Sequence, residues 1–119
     1  ISDWYTCHIS SDDPDFTRDY LSSSPFRDRT LYEKTAPISN LANAKTPMLI
    51  QHGSDDQLVP LSNATELYRG LKEMKIPVEL FIFPGMQHAI TRPRENHAVM
   101  HQNLNWFSHY LLGEKLKLE

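Results

Sequence analysis

The sequence holds a single cysteine, Cys7. One thiol cannot close an internal disulfide, and a reducing compartment is compatible with that. Long apolar runs are missing too. Leu80-Phe81-Ile82-Phe83 is typical of the longest, against the roughly 20 residues a spanning helix needs, so no membrane partner is expected. Positive charge is not in excess: 12 Lys and Arg stand against 15 Asp and Glu, a net charge of -3. Without a basic tail or stripe, no nucleic-acid partner is expected either. Glycine is scarce. Of Gly53, Gly70, Gly85 and Gly113, no two stand four positions apart, so no G-x-S-x-G nucleophile elbow occurs. Internal repeats and low-complexity tracts are absent.

What is present argues for a folded chain. Of 119 residues, 39% are hydrophobic and 10% aromatic, too rich in apolar side chains for a disordered segment. The length suits one domain or part of one. The chain opens on Ile1 and runs straight into Trp4-Tyr5, which reads as the interior of a longer protein.

Residues 1–46 are polar and rich in turns. Asp12-Asp13-Pro14-Asp15 signals a helix start, with a short helix over Pro14 to Leu21 broken by Ser22-Ser23-Ser24-Pro25. A second short helix is expected near Asp28 to Lys34. Pro47 to Gln51 is an apolar run between turn signals and reads as a buried strand, which leaves His52 to Asp56 as the following loop. From Pro60 the apolar residues Ala64, Leu67, Tyr68, Leu71 and Met74 share one helical face, with Ser62 able to cap. Val78 to Phe83 is a second strand, closed by Pro84-Gly85. A last helix runs from Pro93 to Leu112, with an apolar stripe of Met100, Leu104, Phe107 and Leu111 and Gly113 as its stop. Residues Glu114 to Glu119 read as a frayed, charged tail. Strand, helix, strand, helix is the grammar of an α/β fold: parallel strands covered by helices.

In open α/β sheets, functional groups gather at the carboxyl ends of the strands. One such loop carries Asp55 and Asp56, the other His88. Parallel strands would bring an acid and an imidazole together, as in the acid–histidine half of a nucleophilic triad. The carboxylate fixes the imidazole tautomer and stabilises the imidazolium. The residue types alone leave other roles open, since a loop histidine is commonly structural and an acid pair commonly caps a helix.

Motifs in these loops carry a family resemblance. His52-Gly53-Ser54-Asp55-Asp56-Gln57-Leu58-Val59-Pro60 resembles the HGxxDxxVP segment of the prolyl oligopeptidase family of serine peptidases, and Phe83-Pro84-Gly85-Met86-Gln87-His88 resembles its aromatic-Pro-x-x-x-His loop. The resemblance places the triad acid on Asp56 and the base on His88, 32 residues later. Tyr32-Glu33-Lys34-Thr35-Ala36-Pro37-Ile38, Thr46 to Ile50, Arg92-Pro93-Arg94-Glu95 and Asn103 to Phe107 agree with the same pattern, toward the acylaminoacyl-peptidase and dipeptidyl-aminopeptidase-like branch. The implied fold is the C-terminal portion of an α/β-hydrolase, and residues 1–119 would be a C-terminal fragment of such a catalytic domain. The implied activity is hydrolysis of short peptides by acyl transfer, with no cofactor. The nucleophile Ser would lie outside this chain. The partners implied are a short peptide substrate and the rest of the parent hydrolase chain or a second copy.

Two other readings stay open. The same acid–base pair serves an esterase-type hydrolase, and a chain without the elbow could be a non-catalytic interaction fragment. Remaining candidates are weaker. Among His8, His52, His88, His97, His101 and His109, only His97 and His101 have helical ligand spacing. Ala98 stands where a zinc-peptidase motif has Glu, so no metal is expected. His52 is expected to close the strand and order its loop. Cys7 has no nucleophile context. Trp4 and Trp106 are expected to pack, and Arg92 to be a solvated charge at a helix start.

Overall fold

The computed structural model describes residues 1–118; the final residue of the expected tail, Glu119, lies outside the described residues. Eight elements follow in order: helices α1 (Trp4–Ser10), α2 (Pro14–Leu21) and α3 (Arg29–Thr35), a 3-10 segment (Pro37–Asn43), strand β1 (Met48–Gly53), helix α4 (Leu61–Glu73), strand β2 (Val78–Phe83) and helix α5 (Pro93–Leu112).

Local chemistry explains most boundaries. Asp3, Asp13 and Asp28 each cap a helix, their carboxylates accepting from the amides of Tyr5, Phe16 and Leu31. Pro14 and Pro93 open α2 and α5 at positions where no amide donor is needed. Gly113, at φ 75°, ends α5 in the left-handed conformation and returns its amide to the His109 carbonyl. Helix α4 follows Pro60 without a side-chain cap; Ser62 lies inside its first turn rather than capping it.

Two segments depart from the sequence expectation. Helix α1 and the 3-10 segment fall in the stretch read as turn-rich. Residues Trp4 to Cys7 and Ile9 are poor helix formers, and packing holds α1 instead. Cys7 and Tyr32 are fully buried between α1 and α3, with the Tyr32 hydroxyl donating to the Ser23 carbonyl. Trp4 stacks on Tyr20 of α2 at 5.5 Å. Ser2 and Asp3 tie α1 to α4, their amides donating to the Asn63 side-chain oxygen at 2.9 and 3.1 Å. In the same seam Thr6 and Ser2 donate to Glu66, whose carboxyl is pushed above the ordinary range chiefly by burial.

The strands pair in parallel, in register from Met48 opposite Val78 to Gly53 opposite Phe83. Helix α4 packs on both strands and α5 on β1. Gln51 of β1 reaches α5, its amide donating to the Gln102 side chain at 2.9 Å and to the Val99 carbonyl at 3.3 Å. The core gathers Val59, Ala64, Leu71, Val78, Phe83, Met86 and Trp106. Strand β1 is longer than its apolar run. Pairing with β2 carries it through His52 and Gly53, so His52 stands on the strand and not in the loop.

The stripe on α5 is the other departure. Met100, Leu104, Phe107 and Leu111 all face solvent, between 58% and 74% exposed, while Gln102 and Trp106 face the sheet. Leu49 and Ile50, in the middle of β1, are only half-buried. No helix among the described residues is long and apolar enough to cross a membrane.

A two-stranded sheet with an open edge and a bare apolar stripe should associate. The 119-residue chain in isolation is expected to sediment as oligomers or aggregate. Leu104→Glu with Phe107→Glu should shift it toward monomer; an unsubstituted 119-residue chain that sediments as a stable monomer and unfolds cooperatively would contradict this.

Candidate active site

Both strands end at the same level, so their loops leave the sheet side by side. Three hydrogen bonds join them. Ser54 donates its amide to the Phe83 carbonyl at 3.0 Å, Asp55 donates to the Met86 carbonyl at 2.9 Å, and Gly85 donates to the Ser54 hydroxyl at 2.8 Å; within the second loop Met86 donates to Phe83 at 3.2 Å. Met86 is buried and anchors the second loop to the core. Gly85, at φ 70°, makes the left-handed turn that starts it.

Gly53 sits where the two backbones nearly touch. A Cβ there would stand 2.2 Å from the Met86 carbonyl oxygen and 2.4 Å from that of Gln87. The Met86 carbonyl also accepts from the Asp55 amide and cannot move without breaking the loop pairing, so only glycine fits.

Asp56 points inward from this crossing, its side chain 4% exposed. Oδ1 accepts from the Val59 amide at 2.9 Å, and Oδ2 lies 2.9 Å from Nδ1 of His88. A carboxylate only accepts, so His88 carries its proton on Nδ1, and Nε2 of the neutral ring is left with a lone pair. The His88 ring is 59% exposed and faces outward. The arrangement can take a proton at Nε2 and stabilise the resulting imidazolium against a fixed negative charge. Beside the pair lies a cavity of about 190 Å³, walled by Ile1, Gln51, Val59 and Ile90.

The structure thus brings Asp56 and His88 together and holds Asp55 apart. The Asp55 carboxylate accepts from the neighbouring Ser54 hydroxyl and faces solvent. Three features of the site were not legible in sequence. His52 stands against Asp56, Nε2 lying 3.5 Å from Oδ2. Ser54 links the two loops. Arg92, expected to be solvated, lies over the start of the second loop, its guanidinium donating to the carbonyls of Pro84 at 3.3 Å and Gly85 at 3.5 Å.

The other candidates stand elsewhere. His97 and His101 pack ring to ring on α5, 4.5 Å between centroids, and no third His, Cys, Asp or Glu among the described residues joins them as a metal-binding group. Cys7 is buried beside the Leu58 carbonyl, and burial pushes its thiol above the ordinary range, which disfavours the reactive thiolate. A larger open hollow of about 790 Å³ between Arg18, Ser23 and Arg27 holds none of the paired groups.

The backbone crossing at Gly53 makes a direct expectation. Gly53→Ala should lower stability by about 3 kcal/mol through overpacking against fixed carbonyls and separate the two loops. Denaturant unfolding of the protein checks it; a change below about 0.5 kcal/mol would show that the crossing relaxes.

Comparison with known proteins places the fold and the family. Residues 1–114 match the model of the prolyl oligopeptidase family. The acylamino-acid-releasing enzyme of Arabidopsis thaliana is 31% identical over 91 residues, covering 76% of this chain and 12% of that protein. An uncharacterized peptidase of Bacillus subtilis, YuxL, is 32% identical over 115 residues, covering 93% of this chain and 18% of its own length. Among solved structures, Pyrococcus horikoshii acylaminoacyl peptidase superposes over 100% of this chain and 20% of its own, with a TM-score of 0.90 at 24% identity. The chain therefore spans less than a fifth of the curated relatives it matches. The fold is that of the α/β-hydrolase domain in those structures, and the chain belongs to the prolyl oligopeptidase family.

Proposed function

We propose that this chain supplies the acid, Asp56, and the base, His88, of a serine peptidase that hydrolyses short peptides by acyl transfer. The observation that carries the reading is the 2.9 Å contact between Asp56 Oδ2 and His88 Nδ1, which leaves Nε2 free and exposed. The family supports it, since its members are peptidases. The names of the plant and archaeal relatives point to peptides with an acylated N-terminal residue as the substrate class. No G-x-S-x-G elbow occurs among the 119 residues. The serine would come from another segment of the parent chain, packed so that its hydroxyl meets His88 Nε2. The exposed stripe of α5 and the open edge of β1 are surfaces that such a segment would cover.

In this mechanism the serine oxygen attacks the scissile carbonyl carbon as Nε2 of His88 takes its proton. The imidazolium, held by Asp56, then protonates the departing amine as the carbon–nitrogen bond breaks, leaving an acyl ester. A water molecule gives its proton to the same nitrogen and attacks the ester carbonyl. The acid is released and the proton returns to the serine oxygen. Asp56 stays ionised throughout; its work is to hold the ring and its charge.

Two expectations test the reading. The 119 residues alone should give only background hydrolysis of acyl-aminoacyl anilides and should resist a fluorophosphonate probe; stoichiometric labelling would place a nucleophile within the chain. In the full-length protein, Asp56→Asn should lower kcat by about 10⁴-fold, the scale seen when a triad acid is replaced by its amide. Asp55→Asn should change it by less than about threefold, because its carboxylate engages only its own turn and is open to solvent. Equal losses for both substitutions would refute the assignment of the acid.

A further inference from the structure

His52 is the unexplained neighbour of the pair. Its ring is 13% exposed, and Nε2 lies 2.8 Å from the Val59 carbonyl oxygen and 3.5 Å from Asp56 Oδ2. Both are acceptors, so Nε2 carries a proton and donates to Val59. Val59 in turn donates its own amide to Asp56 Oδ1 at 2.9 Å. The peptide groups of Val59 therefore link the two side chains: one end is held by His52, the other holds Asp56. Val59 is buried, and His52 supplies the donor that its carbonyl meets. The carboxylate bears one hydrogen bond on each oxygen, from the Val59 amide and from His88.

We propose that His52 is a positioning residue for the acid–base pair, pinning the Val59 turn that fixes the carboxylate of Asp56 against His88. This rests on the triad reading above. His52 touches neither nucleophile nor substrate in this role, and acts through Asp56. The placement follows from β1: register with β2 keeps His52 on the strand, opposite Ile82, so its ring has a rigid base. Other titratable groups near the carboxylate are His88 itself and, from α1, Cys7; Asp55 and Asp12 border the outer hollow around His88.

The proposal separates reach from chemistry. Gln at position 52 presents an amide nitrogen about where Nε2 stands, whereas that of Asn falls short of the Val59 carbonyl. In the full-length peptidase, His52→Asn should lower kcat on the order of tenfold with KM little changed, well below the 10²–10⁴ supplied by a general base. The acidic limb of its pH–rate profile should move to lower pH, because a loosened Asp56 holds the His88 imidazolium less firmly. His52→Gln should restore both kcat and the profile. A merely structural role would lower the active fraction without moving the profile, and that result would overturn the proposal. So would a limb that moves to higher pH, or a His52→Gln variant no better than His52→Asn. Should His52→Asn not accumulate as folded protein, a His52→Gln variant with the parental kcat and profile supports the proposal, and one with the shifted profile overturns it. Asp56→Asn and His88→Ala serve as references in the same preparation. If both keep full activity the triad reading itself fails and this inference with it; if both are inactive while His52→Asn matches the parent, only the inference fails.

Discussion

The parallel register of β1 and β2 is the constraint from which the site follows. Because Gly53 stands opposite Phe83, both strands finish at one level and both loops start there. An antiparallel pair would have sent the two loops to opposite ends of the sheet. A slip of one residue would have turned His52 to the other face and moved Gly53 from the only point where the backbones can pass. The crossing, the three bonds between the loops and the contact of Asp56 with His88 are successive consequences of that alignment.

Burial of Asp56 is the second link. A carboxylate withdrawn from water is costly unless its oxygens are hydrogen-bonded. Here Oδ1 is met by an amide and Oδ2 by an imidazole, so charge and geometry are satisfied by the same two contacts. His88 has the opposite setting. Its Nδ1 faces the interior while most of the ring stays exposed, which fixes the tautomer without closing Nε2. One residue held deep and one held at the surface make a polarised pair, and the loop stitching keeps that asymmetry in place.

How much of this was legible in sequence depends on the range of the interaction that fixes each feature. Helices α2 and α5 were readable to their ends because Asp13-Pro14, Ser22, Pro93 and Gly113 are local signals. The strands were readable as apolar runs, but the last residues of β1 were not, since pairing with β2 extends it beyond Gln51 through His52 and Gly53. Helix α1 escaped notice because tertiary packing of Cys7 and Tyr32 outweighs weak propensity. At the site, loop motifs singled out Asp56 from Asp55 and pointed to His88. The contacts of His52, Ser54 and Arg92 were hidden, because each depends on where a distant backbone carbonyl or amide comes to lie.

The α5 stripe shows the other side of that distinction. Its period was plain, yet period reports only that a face is apolar and says nothing of what it meets. In this structure Trp106 and Gln102 meet the sheet, and Met100, Leu104, Phe107 and Leu111 meet solvent. The half-buried middle of β1 tells the same story from the sheet side, since parallel strands are ordinarily covered on both faces. The acid–base geometry does not share that incompleteness. The direct contacts of Asp56 with Val59, His52 and His88 all lie between residues 52 and 88, within two loops and the strands that carry them. Hydrophobic coverage is a long-range property of a domain, whereas the orientation of this pair is settled over one strand–helix–strand unit. That difference in range is why the pair stands fully formed beside an apolar face that is still bare.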